Sequence, residues 1–226
     1  MTSRPSLART YPTTVGLLVL IGVVFLLEEV FGGSQTPGVI LDFGANYPPL
    51  VLEDGQWWRL LTATVLHIGL VHLLVNAWAL WQLGRLSEIT FGSALTLALF
   101  VFTGLCGTSL GLLQDKASAG ASGALFGLEG ALVSFFVRHR DRLTPAGREI
   151  LRQLFFWSAL VMGLGFVAPG IDWVGHLGGF LGGLAVGWVI PPPHRRGGWT
   201  RAVAAVAMIL LVAALAAGAA HNPRLA

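Results

Sequence analysis

Polar residues of the types that carry out acyl transfer occur inside apolar stretches of this sequence. Ser122 stands in GASGALFG, His176 in WVGHLGGFLGG, and His72 with Asn76 in HIGLVHLLVNAW. A serine hydroxyl becomes a nucleophile when a base accepts its proton, and a neutral imidazole suits that task near pH 7. Histidine and asparagine side chains can donate hydrogen bonds to the negative oxygen that develops on the attacked carbonyl. Together these residues predict hydrolysis through a serine nucleophile.

The spacing of the two earlier residues leaves other roles open. His72 and Asn76 are four residues apart and share one face of a helix, whereas His67, five residues before His72, is predicted to face away from it and to be structural. A hydrogen bond that only joins two membrane helices would also explain His72 and Asn76. A metalloprotease of the HExxH kind is excluded, because His72 is followed by Leu-Leu-Val-Asn with no suitable acid near it. No metal or other cofactor is expected.

The composition indicates that the elements holding these residues lie in a membrane. Of 226 residues, 54% are hydrophobic and 11% are charged, against about 25% charged in an ordinary soluble domain. Seven apolar stretches are candidates to cross about 30 Å of hydrocarbon. They are residues 13–31, 68–86, 92–113, 122–137, 151–168, 173–190 and 200–220. We therefore predict an all-α polytopic membrane protein. The single Cys106 excludes an intrachain disulfide.

The basic residues predict an orientation. A net charge of +3 is compatible with nucleic-acid binding, but the basic residues form short clusters between apolar segments, so no nucleic-acid partner is expected. Eleven of the fourteen lie in alternate connections: Arg4, Arg9, Arg85, Arg138, Arg140, Arg142, Arg148, Arg152, Arg195, Arg196 and Arg201. Cytoplasmic connections collect such residues. The N-terminus is predicted inside and the C-terminus outside, in a membrane of the bacterial inner type. No small-residue cleavage pattern follows the first stretch, which we expect to be a retained anchor.

Small residues predict how two of these segments pack. In the segment 173–190, glycine recurs every fourth residue, at Gly175, Gly179, Gly183 and Gly187. The segment 122–137 has the same spacing in Gly123, Gly127 and Ala131. Faces of small residues let two membrane helices approach closely. If these faces meet, Ser122 lies at a depth similar to that of His176.

Two further features stand outside this chemistry. Glu129 lies two helical turns deeper than Ser122, where a charge costs about 2.5 to 3.5 kcal/mol. We expect its carboxyl to be protonated or hydrogen-bonded to a tryptophan or serine of an adjacent span. The long connection from Gly32 to Gln56 is rich in glycine and proline and leads to Trp57 and Trp58. It is predicted to lie at the membrane interface.

The three motifs GASG, GHLGG two spans later, and HIGLVHLLVN near the start of an earlier span resemble those of the rhomboid family of intramembrane serine proteases. The resemblance covers about residues 57–190 and includes Trp58-Arg59 and EITFGS. It implies that Ser122 is the nucleophile and His176 the general base. His72 and Asn76 would stabilise the oxyanion together with the backbone N–H at the serine. Phe126 stands where many relatives have a tyrosine that packs on the catalytic histidine.

The resemblance also implies an organisation and a substrate class. Residues 1–12 would be a short cytoplasmic tail, 13–190 a rhomboid-like six-helix catalytic core, and 191–226 a basic linker with a seventh, C-terminal transmembrane helix. Gly179 would serve a helix contact, and Ala168 to Trp173 a flexible cap over the site. The substrates would be single-span or other membrane proteins, cut within the lipid bilayer near the outer face.

Two alternatives come from other functional classes. A catalytically silent relative would bind membrane proteins without cutting them. A transporter or channel would use His72, Asn76, His176 and Glu129 as a polar path across the membrane.

Overall fold

The computed structural model describes residues 7–167, 170–192 and 197–225. The predicted tail up to residue 6, Ala168 and Pro169 of the predicted cap, and residues 193–196 of the predicted basic linker lie outside the described residues. Within the described ranges the chain is helical, with one isolated backbone bridge between Asn46 and Ser118. The helices are α1 (Leu7–Thr10), α2 (Pro12–Val30), α3 (Pro37–Phe43), α4 (Pro48–Leu52), α5 (Arg59–Thr62), α6 (Leu70–Phe91), α7 (Ser93–Gly111), α8 (Ser122–Arg138), a short 3₁₀ helix (Arg140–Arg142), α9 (Pro145–Val167), α10 (Trp173–Val189) and α11 (Trp199–His221).

Each predicted apolar segment coincides with one long helix, so the all-α polytopic membrane fold is confirmed. Four of these helices, α2, α7, α9 and α11, are long and apolar enough to cross a membrane. Helices α8 and α10 have 17 residues each, and a helix of that length spans only about 25 Å at 1.5 Å per residue. Each is therefore at the short limit for a helix that crosses the apolar layer.

Two helix boundaries differ from the sequence prediction. Helix α6 continues to Phe91 rather than 86, because the polar residues of its last turn find partners inside the protein. Helix α9 begins at Pro145 rather than 151. A proline suits the first helical position, and the Thr144 hydroxyl accepts a hydrogen bond from the Gly147 N–H at 3.2 Å. A hydrophobicity criterion misses both turns because they are polar.

Helix α8 is the core of the bundle, since every residue from 124 to 135 is buried. Helix α10 crosses it where the predicted small-residue faces meet. A Cβ atom on Gly179 would overlap the Gly123 carbonyl, and one on Gly183 would overlap the Gly127 carbonyl. Helix α7 also packs against α8, a contact that the sequence did not predict. A Cβ atom on Gly127 would overlap the Thr103 side chain, so the Cα of Gly127 faces α7 rather than α10.

The antiparallel helices α2 and α6 are joined by a buried carboxylate at each end. At one end, Glu88 of α6 accepts hydrogen bonds from the Thr14 N–H at 2.7 Å and the Thr14 hydroxyl at 2.6 Å. At the other end, Glu28 of α2 accepts from the His67 N–H at 3.3 Å, just before α6 begins. Both carboxylates satisfy N–H groups that lie at or just before a helix start, where α-helices leave N–H groups unpaired. The two contacts fix the register of α6 at both ends.

The long connection before α6 is folded rather than irregular. It contains α3 and α4, and the Arg59 side chain donates to the Leu41 carbonyl at 2.6 Å and the Ala45 carbonyl at 3.2 Å. The Asn46 and Ser118 backbones exchange two hydrogen bonds of 2.9 and 2.8 Å. The connection therefore holds the chain two residues before the GASG motif.

Two helices are peripheral. Helix α11 packs its buried residues Ala207, Leu211, Ala214 and Gly218 on the bundle, and the Arg224–Asp42 ion pair of 2.6 Å follows it. Helix α9 buries only Leu154, Ser158 and Gly165. Most of its other apolar residues are exposed on the side away from the protein, which is where lipid lies in a membrane.

Candidate active site

Ser122 is the first residue of α8, and Gly120, two residues before it, allows the His72 side chain to come close. Gly120 has φ +140°, a conformation that L side chains rarely adopt. A Cβ atom there would lie 2.7 Å from Cε1 of His72. The first glycine of GASG is thus required twice, by the backbone turn and by the adjacent imidazole. The start of α8 also presents unpaired N–H groups and the positive end of the helix dipole beside the serine.

His176 lies in the first turn of α10, with its Nε2 2.7 Å from the Ser122 Oγ. Asp172 caps this helix by accepting the Gly175 N–H at 2.8 Å. The Gly175 carbonyl lies against Gly107 and Gly123, so the absence of side chains at these positions lets α10 come close enough for the contact. The imidazole is 7% exposed, and its Nδ1 has no hydrogen-bond partner among the described residues. In the part of the chain that the structure describes, no carboxylate is hydrogen-bonded to the far side of this imidazole, so the contact joins a serine and a histidine alone.

Phe126 packs on the imidazole of His176. The ring centroids are 4.6 Å apart and the planes 24° from parallel. Because Phe126 is one turn after Ser122 on the same helix, it holds the imidazole from the side while the serine lies at its Nε2. The stacked contact orients the ring without using a hydrogen bond.

His72 is close to the serine, and His67 is not placed as predicted. The hypothetical Cβ of Gly120 would lie 2.9 Å from Nε2 of His72 and 3.7 Å from the Ser122 Oγ, so the imidazole and the hydroxyl border the same small space. The prediction that His67 faces away from His72 is wrong: their ring centroids are 5.3 Å apart. The helical spacing argument fails because α6 begins only at Leu70, and Gly69, with φ +82°, turns the chain before it.

Asn76 is buried one turn after His72. Its Nδ2 donates to the His72 carbonyl at 2.9 Å, and its Oδ1 has no hydrogen-bond partner in the described part of the chain. This side chain thus caps a carbonyl of its own helix. The Nδ2 group carries a second N–H, which this hydrogen bond does not use.

Three contacts around the site were not foreseen. Glu28 is 0% exposed and accepts a hydrogen bond from the His67 N–H; its position inside the apolar stretch FLLEEV was the available signal. Gln114 donates to the Asp172 carboxylate, and Lys116 Nζ donates to the Ile171 carbonyl at 3.2 Å. These last two tie the residues before α10 to the connection between α7 and α8, for which the sequence carries no local signal.

Glu129 is 5% exposed on the side of α8 that faces α9. Its polar neighbour is Ser158, a serine of an adjacent span as predicted, although the Ser158 hydroxyl falls outside strict hydrogen-bond geometry. Glu129 therefore belongs to a helix contact rather than to the serine–histidine pair. Among the described residues, no three histidine, cysteine, aspartate or glutamate side chains cluster as they would around a metal ion.

Comparison with known proteins identifies the relatives of this chain. The family model described as the Rhomboid domain matches residues 54–193. The chain is 34% identical over 214 residues to the rhomboid protease GluP of Bacillus subtilis, covering 94% of this chain and 41% of that protein. It is 31% identical over 193 residues to the putative rhomboid protease YdcA of the same organism, covering 83% and 93%. RHOMBOID-like protein 2 of Arabidopsis thaliana is 37% identical over 165 residues, covering 72% and 51%. The chain thus spans about half the length of GluP and of the plant relative.

Proposed function

The chain belongs to the rhomboid family, and we propose that it is an intramembrane serine endopeptidase with Ser122 and His176 as its catalytic dyad. The observation that carries this proposal is the 2.7 Å separation between the Ser122 Oγ and the His176 Nε2. A neutral imidazole at that distance can accept the hydroxyl proton as the oxygen attacks a carbonyl.

The reaction proceeds in two steps through an acyl-enzyme. In the first, the Ser122 oxygen attacks the scissile carbonyl, its proton passes to His176 Nε2, and His176 returns that proton to the leaving amine. In the second, His176 takes a proton from water, the resulting hydroxide attacks the acyl carbonyl, and His176 returns the proton to the Ser122 oxygen as the acid product leaves. The stacked ring of Phe126 keeps the imidazole in one orientation through both steps.

The oxyanion is stabilised on the side of the serine where donors converge. The N–H groups at the start of α8 supply fixed dipoles that need no reorganisation. The imidazole of His72 borders the same space and supplies a side-chain donor. Asn76 contributes through the second N–H of its Nδ2, since the first donates to the His72 carbonyl.

The substrates are membrane proteins whose transmembrane segments enter from the bilayer and are cut near the outer face. Both dyad residues lie in the first turns of the two 17-residue helices, so a shallow site open to water on that side suits hydrolysis. The alternating basic connections support a cytoplasmic N-terminus and an outer C-terminus in a membrane of the bacterial inner type. Residues 13–190 act as the catalytic core, between a short tail (1–12) and the linker with the seventh helix (191–226).

Reconstitution with a single-span substrate tests this function. The substrate carries small residues near its outer boundary, and cleavage is measured in vesicles for the wild type, Ser122→Ala, His176→Ala and Ser134→Ala. Ser134 is the matched control, since it is a buried serine of the same helix that bonds only the Ala131 carbonyl. Cleavage is expected for the wild type and Ser134→Ala alone.

A serine-directed mechanism-based reagent separates the protease from a silent relative and from a transporter. It should label the wild type and Ser134→Ala, and leave Ser122→Ala unlabelled. Product from Ser122→Ala or His176→Ala equal to that of the wild type would refute the dyad.

A further inference from the structure

An open cavity of about 660 Å³ is lined by the first turns of α9 and by the connection that precedes this helix. It is at the opposite end of the bundle from Ser122, because α8 runs from that serine to Arg138. The proposed chemistry gives it no role. Its wall combines the arginines Arg140, Arg148 and Arg152 with the apolar residues Leu143, Leu151 and Phe155, and Asp141 is the one acid among its lining residues.

The charge of this wall is only partly neutralised by the protein. Three arginines against one aspartate leave a net charge of +2 (three minus one) on the lining, and the adjacent Glu149, paired with Arg152, lowers it to +1. Arg152 pairs with Glu149 at 2.7 Å, but the Arg140–Asp141 separation is 3.9 Å between side chains that are 74% and 94% exposed. For Arg148, no ion pair forms with any other residue that the structure describes. The cavity therefore attracts an anion.

The apolar part of the wall points to the rest of the ligand. Arg148, Leu151, Arg152 and Phe155 are spaced i, i+3, i+4 and i+7 and share one face of α9. Along this face the arginines come first, where the helix begins, and Phe155, 50% exposed, lies towards the apolar layer. Because α9 buries only three residues against the protein, its apolar surface continues from the cavity into the membrane. A charge at one end and a hydrocarbon path at the other match an amphiphile.

We propose that this cavity binds the phosphate headgroup of an anionic phospholipid, whose acyl chains lie along α9. Basic pockets between membrane helices hold such headgroups through arginine–phosphate hydrogen bonds. A free phosphate or an acidic protein segment would use the arginines but would leave the exposed Phe155 without a partner. The lipid would supplement the few protein contacts that hold α9.

Lipid retention by the full chain tests the proposal. The protein is reconstituted in bilayers of phosphatidylcholine with phosphatidylglycerol, and the lipids that remain bound after detergent extraction are measured by native mass spectrometry. The cavity variant Arg140→Gln/Arg148→Gln/Arg152→Gln is compared with Arg9→Gln/Arg142→Gln/Arg201→Gln, which removes the same charge from exposed arginines at the same end of the bundle, outside the cavity. The wild type and the control should retain one phosphatidylglycerol.

The cavity variant should retain phosphatidylglycerol at least tenfold less well than the control, because each arginine near a bound anionic headgroup contributes about fivefold. Equal loss in both variants would show general attraction to an anionic surface and overturn the site. Equal retention of phosphatidylcholine by the wild type would also overturn it, as would displacement of the bound lipid by inorganic phosphate alone.

A neutral substitution tests the acyl-chain part independently of charge. Phe155→Ser should weaken phosphatidylglycerol retention severalfold. Phe156→Ser, a change at a residue that is 59% exposed but outside the cavity, should not. Identical retention by the two variants would contradict the proposed path of the lipid along α9.

Discussion

Substitution of Gly179 by alanine should separate the two helices that hold the dyad. The added Cβ would overlap the Gly123 carbonyl, at a distance well inside van der Waals contact. Because the overlapping atoms are backbone, no side-chain rotation can relieve the overlap. Relief requires α10 to move away from α8 by about 1 Å, and a displacement of that size at a catalytic group costs on the order of 10²-fold in rate. The 2.7 Å contact between His176 and Ser122 would then exceed hydrogen-bond distance.

The assay measures kcat/KM for a single-span substrate in vesicles, together with thermal unfolding. We expect a fall of about 100-fold for Gly179→Ala, and a loss of stability of about 1 to 3 kcal/mol from overpacking. Serine labelling by the mechanism-based reagent, normalised to folded protein, should fall in parallel. This normalisation distinguishes a displaced dyad from an unfolded one.

Two glycines provide matched controls. A Cβ on Gly182 of the same helix would meet only the Cys106 side chain within 3.0 Å, so Gly182→Ala should have a smaller effect. Gly22 in α2 has open space around it, and Gly22→Ala should leave cleavage unchanged. Wild-type cleavage by Gly179→Ala would refute the argument that close backbone contact between α8 and α10 sets the dyad distance.

Three further predictions concern buried side chains. Phe126→Leu should lower kcat about tenfold, because it removes the stacked contact with His176. Phe126→Tyr should retain activity. Equal kcat values for the two variants would exclude an orienting role for the ring. Glu88→Ala should reduce the free energy of unfolding by about 1 to 3 kcal/mol, because the Thr14 N–H and hydroxyl lose their acceptor. Labelling of the folded variant by the serine-directed reagent should be unchanged. An unaltered free energy of unfolding would contradict the role of Glu88 in capping the start of α2. Glu129→Gln should leave the thermal unfolding temperature unchanged, and Glu129→Lys should lower it. Only the lysine places an obligatory charge at a position that is 5% exposed. An unchanged unfolding temperature for Glu129→Lys would instead indicate that water reaches this site.

The reciprocal carboxylates of α2 and α6 connect stability with the site. Glu28 supports the turn at His67, whose ring packs on His72, which in turn borders the serine. The C-terminal end of α2 is thereby coupled to the proposed oxyanion donors through direct contacts. Glu88 makes the same kind of contact at the far end, so α6 has little freedom to slide.

Several elements were predictable because their signals are local. Helices that lie in lipid need long apolar stretches, so the seven apolar stretches of the sequence indicate the seven long helices and their order along the chain. Glycine at every fourth position marks the face by which α10 approaches α8, and the motifs around Ser122 and His176 identify the rhomboid family. Each of these inferences depends on residues within one helix, where the period of 3.6 residues relates sequence to space.

Other features depend on segments that are distant in the chain, and only the tertiary structure decided them. Three such features are the Asn46–Ser118 backbone pair, the Gln114–Asp172 contact and the packing of α7 against α8. In each of them, the sequence around one residue does not indicate its partner. His67 shows the limit most clearly, because a helical period was applied to a segment that is not helical. Periodicity assigns a face only where the backbone is regular, whereas the position of an irregular turn depends on the N–H and carbonyl groups that the rest of the fold offers it.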